Sequence, residues 1–323
     1  MSLFFGIYPG GILGDDQGIV HPVRPDVPDR ITEALDTLQG DTATLSVRAY
    51  RSFAATETPE PPTPADPTTY LQRGRKLDLV LQFREPTGEL RGWREFVREA
   101  VRSAGPELAS VQICEEPNAD LPPVDGSTPN VLNALVEGVV EAKREASALG
   151  RGVAVGFNAV PTFDPADTFW SDLGALADDR FRRSLDYVGL DFFPDVFRPL
   201  AADQLADAVA TVLTAFRHTD LPRAGIPGRV AIRVCENGWP TGPGRGEKRQ
   251  AAVLETVVRT VAAHSVDLNI DGYSFFALRD ADSTAEGIFH HFGLLRDDYT
   301  PKPAFETYRR LIGELGGPQD APH

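Results

Sequence analysis

The segment VQICEEPNAD, Val111 to Asp120, contains the pattern that decides the fold. An apolar run ends abruptly in two neighbouring carboxylates, Glu115 and Glu116, and Pro117 follows at once. Runs that are apolar throughout are typical of parallel strands, because such strands are buried on both faces. The segment therefore predicts a buried strand that ends in an acidic pair, although adjacent like charges disfavour each other's ionised form.

Similar apolar runs recur along the whole chain and alternate with helical patterns. Most are rich in Val, Ile, Leu and Phe, as strands buried on both faces should be. Eight strands are predicted: Leu3–Tyr8, Ala43–Ala49, Leu77–Phe83, Ala109–Cys114, Val153–Phe157, Tyr187–Phe192, Val230–Cys235 and Gly272–Ala277.

Helices are predicted between these strands and after the last one, from apolar residues at helical spacing and from capping signals. Ser127 is the expected cap of the third helix, and a proline opens the last one. The predicted helices are Asp29–Leu38, Gly92–Ser103, Pro129–Leu149, Asp167–Ser184, Ala202–Arg217, Lys248–His264 and Pro303–Leu315.

This alternation of strands and helices predicts an α/β protein with a parallel sheet. The 323 residues, divided among eight strand–helix units, give about 40 residues per unit. Eight units predict closure into a (β/α)8 TIM barrel, which takes about 250 residues plus loop insertions. An open doubly wound sheet is the alternative. The turn after the first strand, GIYPGGILGDD, lacks the G-x-G-x-x-G pattern typical of such sheets, so the barrel is favoured.

A single catalytic domain is predicted over residues 1–323. The one biased segment, ATETPEPPTPADPTTY at 55–70, is rich in proline and threonine. A linker between domains has a similar composition, but the strand pattern resumes directly after this segment. We therefore expect a stiff loop at about 54–70, on the face of the barrel where the strands end.

The composition argues against several classes of partner. The formal net charge is −15, from 47 acidic residues and 32 lysine and arginine residues, which disfavours nucleic acid and anionic membranes. No run of about 18 apolar residues marks a membrane span. The start, MSLFFGIYPGG, lacks the charged and long apolar regions of a signal peptide. A cytoplasmic location is expected, unless a leader has been removed.

Two glutamates occupy equivalent places at the ends of predicted strands. Glu116 follows the fourth strand, and Glu236, in AIRVCENGWPTG, follows the seventh. Their separation, 236 − 116 = 120 residues, is three units of about 40, so in a barrel they face each other across the mouth. A single glutamate at such a place more often forms a salt bridge or caps a helix. Two with this spacing fit glycoside hydrolysis, in which one carboxyl protonates the leaving oxygen and the other attacks or stabilises the anomeric carbon.

Motifs in the second half of the chain are similar to those of a known superfamily. The chain reads EEPN at 115–118, CENGWPT at 235–241 and GYSFFALRD at 272–280, and its tail has FGL at 292–294 before KP at 302–303. These motifs resemble clan A of the barrel glycoside hydrolases, whose catalytic pair follows strands four and seven. Glu-Pro alone is a weak signal, whereas the motifs at strands seven and eight are together fairly specific.

The resemblance implies a glycosidase that needs no cofactor and no metal. Glu116 would be the general acid/base and Glu236 the nucleophile of a retaining double displacement on a carbohydrate. Three departures from the clan pattern exclude an ordinary β-glucosidase. Glu115 stands in place of an asparagine, GLDFFP at 189–194 lacks a tyrosine expected beside the nucleophile, and Phe276 replaces a tryptophan.

Further residues are candidates for binding the substrate. Arg48 corresponds to an arginine that in many clan members hydrogen-bonds the nucleophile and holds it ionised. A charge on Glu115 within about 6 Å of Glu116 would raise the pKa of Glu116, as a general acid requires. The aromatic candidates would stack on a sugar ring and the Asn and Asp candidates would bind hydroxyls, with a structural role as the alternative for each. The full set is Arg48, Glu115, Asn158, Asp191, Trp239, Phe276 and Asp280.

Three functions fit these observations. The first is hydrolysis of a glycoside with retention of configuration. The second is transglycosylation, in which the same site passes the sugar to an acceptor other than water. The third is a barrel that binds carbohydrate without reaction, which the missing asparagine and tyrosine favour. A pure binder has no need of both carboxylates, so we expect hydrolysis.

Overall fold

The computed structural model describes residues 2–15, 17–41 and 44–317, and within them eight parallel strands close into a barrel. Each barrel strand pairs with its neighbour along the chain, and the last pairs with the first. A short antiparallel hairpin, β2–β3, follows the first strand. The strands are β1 (Phe4–Ile7), β2 (Leu13–Asp15), β3 (Gly18–Val20), β4 (Leu45–Phe53), β5 (Lys76–Phe83), β6 (Leu108–Ile113), β7 (Ala154–Ala159), β8 (Tyr187–Asp191), β9 (Ala231–Asn237) and β10 (Ile270–Phe275).

α-Helices connect most of the parallel barrel strands, whereas β4 and β5 are joined through two short 3-10 turns, Pro67–Tyr70 and Gln72–Gly74. The α/β prediction and the (β/α)8 TIM barrel are therefore confirmed, with all eight predicted strands present. No helix of the described residues is long and apolar enough to cross a membrane. The α-helices are α1 (Pro28–Gln39), α2 (Trp93–Ser103), α3 (Val131–Ala148), α4 (Phe169–Leu176), α5 (Asp179–Ser184), α6 (Leu205–Ala215), α7 (Leu221–Arg223), α8 (Glu247–Ala263) and α9 (Pro303–Leu315).

The second barrel strand, β4, differs most from its prediction. Its predicted start, Ala43, lies outside the described residues, and the strand continues to Phe53 rather than ending at Ala49. The polar residues after Ala49 interrupt the apolar run, but they pair with β5 as far as Phe53 and Phe83. The prediction ended early because this part of the strand places polar side chains inside the barrel.

Two helix predictions were wrong in detail. The helix predicted over Asp167–Ser184 is two helices, because Ala177 is extended and Asp178 caps the second by accepting a hydrogen bond from Phe181 N at 2.9 Å. Ser127 does not cap the third helix. Asn130, in a left-handed conformation, precedes that helix.

The Pro/Thr-rich segment packs against the carboxyl end of β4. Thr63 exchanges two backbone hydrogen bonds with Tyr50, and a short 3-10 turn, Pro67–Tyr70, ends the segment. The segment thus borders the mouth of the barrel, on the face where the catalytic groups of such barrels lie.

The interior of the barrel is polar at its centre. Alternate residues of a strand face opposite sides, so Arg48 and Tyr50 of β4 both point inward. Inside the barrel, Arg48 meets Asp78 of β5 and Gln112 of β6. This buried polar layer supports the residues at the strand ends from below.

Candidate active site

The carboxyl ends of the barrel strands open into a cleft of about 650 Å³. Glu115, Glu116 and Glu236 lie at its floor, and all three are buried. Glu116 follows β6 and Glu236 belongs to β9, the fourth and seventh strands of the barrel. The two glutamates singled out by their spacing therefore share one cleft.

The end of β6 has an unusual backbone. Cys114 and Glu116 both have left-handed conformations, with φ of 64° and 43°. Such conformations are uncommon for residues other than glycine and occur where the surroundings enforce them. Asn158 of β7 fixes this turn, because its Oδ1 accepts a hydrogen bond from Glu116 N at 2.7 Å. The turn places the side chains of Glu115 and Glu116 at the same cleft floor.

Glu236 is held by donors on neighbouring strands. The hydroxyl of Tyr50 donates a short hydrogen bond to its Oε1, and Arg48 Nε donates to the same atom at 3.3 Å. The carboxyl group of Glu115 also hydrogen-bonds Glu236. Donors aimed at a carboxylate favour its ionised form.

Arg48 connects the site to the barrel interior. Its guanidinium, 1% exposed, donates to Asp78 Oδ2 at 2.7 Å and to Gln112 Oε1 at 2.8 Å, and lies 3.4 Å from Glu115 Oε2. Because five donors spread in one plane, a single arginine can position several acceptors at once. Arg48 therefore fixes Glu115 and Glu236 relative to each other, from beneath the floor.

The burial of Glu115 favours the neutral form of its carboxyl group. Its carboxyl accepts hydrogen bonds from Gln112 Nε2 at 2.7 Å and from Asn158 Nδ2 at 3.2 Å. Burial, and next the charge of Glu236, raise the pKa of Glu115 well above its usual range, while Arg48 opposes them. A protonated Glu115 can donate to Glu236, as the amide of an asparagine would.

Glu116 has a different environment. Burial, and next the charge of Glu236, raise its pKa to about 8, with Arg48 acting in the opposite direction. No residue in the described part of the chain donates a hydrogen bond to its carboxyl group. The expectation that a charge on Glu115 raises this pKa is corrected, since burial and Glu236 are the causes. A carboxyl that stays protonated near neutral pH is suited to act as a general acid.

Burial and hydrogen-bond donors act in opposite directions on the pKa of Glu236. Burial raises its pKa, whereas Arg48 and then the hydrogen bond from Tyr50 lower it. Neither donor reaches the carboxyl of Glu116. Of Glu116 and Glu236, only Glu236 has donors directed at its carboxyl, so the negative charge of this pair is best placed there.

A fourth carboxylate, Asp191 at the end of β8, lies beneath the floor. Asn158 Nδ2 donates to it, and burial raises its pKa well above the usual range. Oxygens of Glu115, Glu116 and Asp191 lie within 4.8 Å of one another, a spacing that could hold a cation. Hard cations prefer such oxygen ligands. The Asn158 and Gln112 amides already bond two of the three carboxyls, and the expectation of no metal stays a prediction.

The predicted binding residues fall into three groups. Glu115 and Phe276 line the cleft, and the Phe276 ring stacks on Tyr8 with ring centroids 5.2 Å apart. Arg48, Asn158 and Asp191 lie below the floor, where Arg48 and Asn158 bond the glutamates and Asp191 bonds Asn158. The contact of Arg48 with Glu236 is the one expected from the sequence. Binding of substrate hydroxyls by Asn158 and Asp191 stays a prediction, and in this structure the two residues bond each other below the floor.

Trp239 and Asp280 form the third group and lie behind the cleft. Trp239 is 5% exposed, its Nε1 donates to the carbonyl of Asp195 at 3.1 Å, and its ring packs under Arg245. Asp280 is paired with Lys302 at 2.7 Å. Both side chains hold loops together in this structure, and the stacking of Trp239 on a sugar and substrate binding by Asp280 stay predictions.

Sequence reasoning missed three residues of the site: Tyr50, Asp78 and Gln112. Tyr50 supplies the hydroxyl beside Glu236 that we expected after the sixth strand and found replaced by phenylalanine. A signal was present in SVRAYRSF, since Tyr50 is two residues after Arg48 and shares its face of the strand. Asp78 and Gln112 likewise interrupt apolar runs, which marks inward-facing polar positions.

No protein-family model matches the sequence, and no curated protein sequence matches it. Solved structures do match. A family 39 glycoside hydrolase from Bacteroides cellulosilyticus WH2 has 16% identity and a TM-score of 0.61, over 98% of this chain and 64% of its own. A β-D-glucuronidase from Dictyoglomus thermophilum has 11% identity and a TM-score of 0.61, over 97% and 50%. A β-glucuronidase from Ruminococcus gnavus, solved with D-glucuronic acid, has 13% identity and a TM-score of 0.61, over 96% and 49%.

At these identities the likeness shows a shared fold. It confirms the resemblance to barrel glycoside hydrolases at the level of architecture, because the match extends over nearly the whole chain. The chain spans between about half and 64% of the length of these three structures.

Proposed function

We propose that this chain is a glycosidase that cleaves its substrate with retention of configuration. The observation that carries the proposal is the pairing of two buried glutamates with opposite surroundings in one cleft. Glu236 is contacted by Tyr50 and Arg48, which stabilise its anion, whereas burial keeps Glu116 protonated to about pH 8. Two carboxyls whose environments differ in this way are typical of an acid and a nucleophile.

The first step forms a covalent intermediate. Protonated Glu116 gives its proton to the glycosidic oxygen as the bond from that oxygen to the anomeric carbon breaks. The carboxylate of Glu236 attacks the same carbon from the opposite face and forms a glycosyl ester, and the aglycone leaves as an alcohol.

The second step releases the sugar. Glu116, now ionised, takes a proton from a water molecule, which attacks the anomeric carbon and displaces Glu236 as the carboxylate. Two inversions give net retention. Each group returns to its starting protonation state, so the cycle uses only substrate and water.

The residues below the floor hold the nucleophile in place. Arg48 and Tyr50 keep the Glu236 oxygen directed at the cleft, which reduces the cost of orienting it during attack. Glu115, as a neutral donor to Glu236, takes the place of the asparagine of the clan. A neutral Glu115 positions the nucleophile without placing a second negative charge next to it.

The structural neighbours support the reaction class. One is described as a family 39 glycoside hydrolase and two as β-glucuronidases. All share the barrel in which carboxyl-end residues do the chemistry.

The test is a screen of aryl glycosides, followed by NMR of the first anomer released from an accepted substrate. We expect the product to keep the configuration of the substrate, and Glu236→Ala and Glu116→Ala to lose turnover. Glu60→Gln is the matched control, because Glu60 is an exposed glutamate lining the same cleft. An inverted first product would contradict the mechanism, as would full activity in Glu236→Ala. Added acceptor sugars in the same reaction would reveal transglycosylation as a new glycoside product.

A further inference from the structure

The walls of the cleft are much more apolar than its floor. Six separate segments supply apolar side chains: the β2–β3 hairpin, the loops after β4 and β6, and the segments after β7, β8 and β10. Isoleucine, leucine, proline, valine and phenylalanine predominate among them. An open apolar surface of this kind marks a binding site in a protein that is otherwise strongly charged.

Four phenylalanines form a continuous row on one wall, here called the aromatic row. The ring of Phe292 contacts Phe193 at 5.6 Å and Phe289 at 6.3 Å, and Phe289 contacts Phe197 at 6.2 Å between centroids. The exposed fraction rises from 4% at Phe292 to 63% at Phe197. The row therefore runs from the buried floor to the open mouth.

The inner end of the aromatic row adjoins the proposed nucleophile. Phe292 packs on Gly238, two residues after Glu236, where an added side-chain carbon would come within 3.0 Å of its ring. A glycine at that place lets the aromatic ring approach the end of β9. A group leaving the anomeric carbon in this cleft therefore has an apolar surface directly beside it.

The polar side chains of the walls are mostly engaged within the protein. Ser52 donates to Gln82 at 2.7 Å, and Thr63 is hydrogen-bonded to the hydroxyl of Tyr8 at 2.6 Å. Arg84 donates to backbone carbonyls of the loop after β6. A chain of sugars requires polar partners at each unit, because an unpaired buried hydroxyl is costly. These walls suit an apolar group better than a second sugar.

The charge of the cleft argues against an acidic substrate. Besides Glu115 and Glu116, whose neutral forms burial favours, the lining has three acidic side chains, Asp15, Glu60 and Glu236, against Arg84 and His21. Arg84 is itself paired with Asp125 at 3.6 Å. A carboxylate on the sugar, as in a glucuronide, would meet like charges that disfavour its ionised form.

We propose that the substrate is a neutral glycoside with a bulky aromatic aglycone that packs along the aromatic row. This inference rests on the proposed glycosidase function and names its substrate class. The sugar occupies the polar floor, and the aglycone leaves the anomeric carbon toward the mouth, where aromatic rings prefer stacked or edge-to-face contacts.

The test measures binding without turnover, by titration calorimetry of the full chain with thio-linked glycosides that resist hydrolysis. The probes are 2-naphthyl 1-thio-β-D-glucopyranoside, methyl 1-thio-β-D-glucopyranoside and the 2-naphthyl thioglucuronide. We expect the naphthyl glucoside to bind roughly 10- to 100-fold more tightly than the methyl glucoside, from the added apolar atoms. The glucuronide should bind more weakly than the naphthyl glucoside.

Two variants with matched exposure locate the effect. Phe197, in the aromatic row, is 63% exposed, and Phe163, outside the cleft lining, is 65% exposed, so substitution of either should leave the fold intact. Phe197→Ser should reduce the preference for naphthyl over methyl by roughly 3- to 10-fold. Phe163→Ser should leave that preference unchanged.

Several results would overturn this inference: no binding of the naphthyl probe, equal affinity for both glucosides, tighter binding of the glucuronide, or equal effects of the two substitutions. A different result would contradict the proposed glycosidase function. If the naphthyl preference holds while no aryl glycoside is hydrolysed, the cleft is assigned correctly and the reaction is wrong.

Discussion

The carboxyl ends of β6 and β9 each place a buried glutamate at the same cleft floor, yet they surround it differently. At the end of β9, Glu236 meets the hydroxyl of Tyr50 and the guanidinium of Arg48. At the end of β6, the Glu116 carboxyl receives no hydrogen bond from the described residues, and burial raises its pKa to about 8. The surroundings thus favour the anion of the glutamate at the end of β9 and the protonated acid of the glutamate at the end of β6.

The surroundings of the two glutamates differ because different strands supply the neighbouring polar side chains. The inward positions of β4 carry the two donors, Arg48 and Tyr50, and both are directed to Glu236. Near the end of β6, Asn158 accepts a hydrogen bond from Glu116 N and donates to the carboxyl of Glu115, so it leaves the carboxyl of Glu116 without a donor. The roles can be tested by changing one glutamate or one donor at a time.

The largest effect is expected at Glu236. Glu236→Ala removes the nucleophile and should lower kcat by on the order of 10⁵-fold or more on an accepted aryl glycoside, as for other groups that act as a unit. Steady-state kinetics with Glu60→Gln as the control measures this. Turnover near that of the wild type would show that another group attacks the anomeric carbon.

Glu116→Gln should have a smaller effect that depends on the leaving group. Losing a general acid costs about 10²- to 10⁴-fold, and the loss should be small for leaving groups that need no proton. In the wild type, kcat/KM should fall above about pH 8, as Glu116 loses its proton, and this fall should be absent in the variant. If kcat/KM of the variant still fell above about pH 8, the general acid would be a different residue.

Tyr50→Phe removes a donor from Glu236 and should lower kcat/KM by about 10- to 100-fold, the value of a hydrogen bond to a charged group. Because this bond lowers the pKa of Glu236, its loss should move the acidic limb of the pH profile to higher pH. Tyr8→Phe is the matched control, since the Tyr8 hydroxyl bonds Thr63 in the same cleft. A loss of rate with no shift of the acidic limb would indicate a structural role only.

Glu115→Gln should change stability more than rate. The pKa of Glu115 is raised in the folded state, so its contribution to stability is fully present below the unfolded value and is lost as pH rises toward the folded one. The variant should therefore melt about 2 °C above the wild type at pH 8, with little difference at pH 5. A glutamine still donates to Glu236, so kcat/KM should fall less than about tenfold. A lower melting temperature at pH 8 would show that Glu115 is a stabilised anion.

The eight strands and the spacing of Glu116 and Glu236 could be predicted because they depend on local patterns. Apolar runs mark buried parallel strands, and the repeat of about 40 residues fixes which strand ends face each other. The glutamates follow such runs directly, so their place at the mouth required no tertiary information.

The layer below them could not be predicted in the same way. Tyr50 reaches Glu236 across 186 residues of sequence, and Arg48 reaches Gln112 across 64. The direction of Trp239 could not be predicted either, because an aromatic residue three positions after Glu236 can face the cleft or the core, and here its Nε1 donates to the carbonyl of Asp195. Those choices depend on partners that only the closed barrel brings together.

The most direct test of the central claim is rescue by azide of Glu236→Ala and Glu116→Ala, with an aryl glycoside that the wild type hydrolyses. Azide should restore turnover of Glu236→Ala by attacking from the face that the nucleophile left open, giving a glycosyl azide of inverted configuration. For Glu116→Ala, azide should attack the glycosyl ester on Glu236 and give an azide of retained configuration. The reverse assignment of the two products, or an inverted azide from Glu116→Ala, would contradict the account.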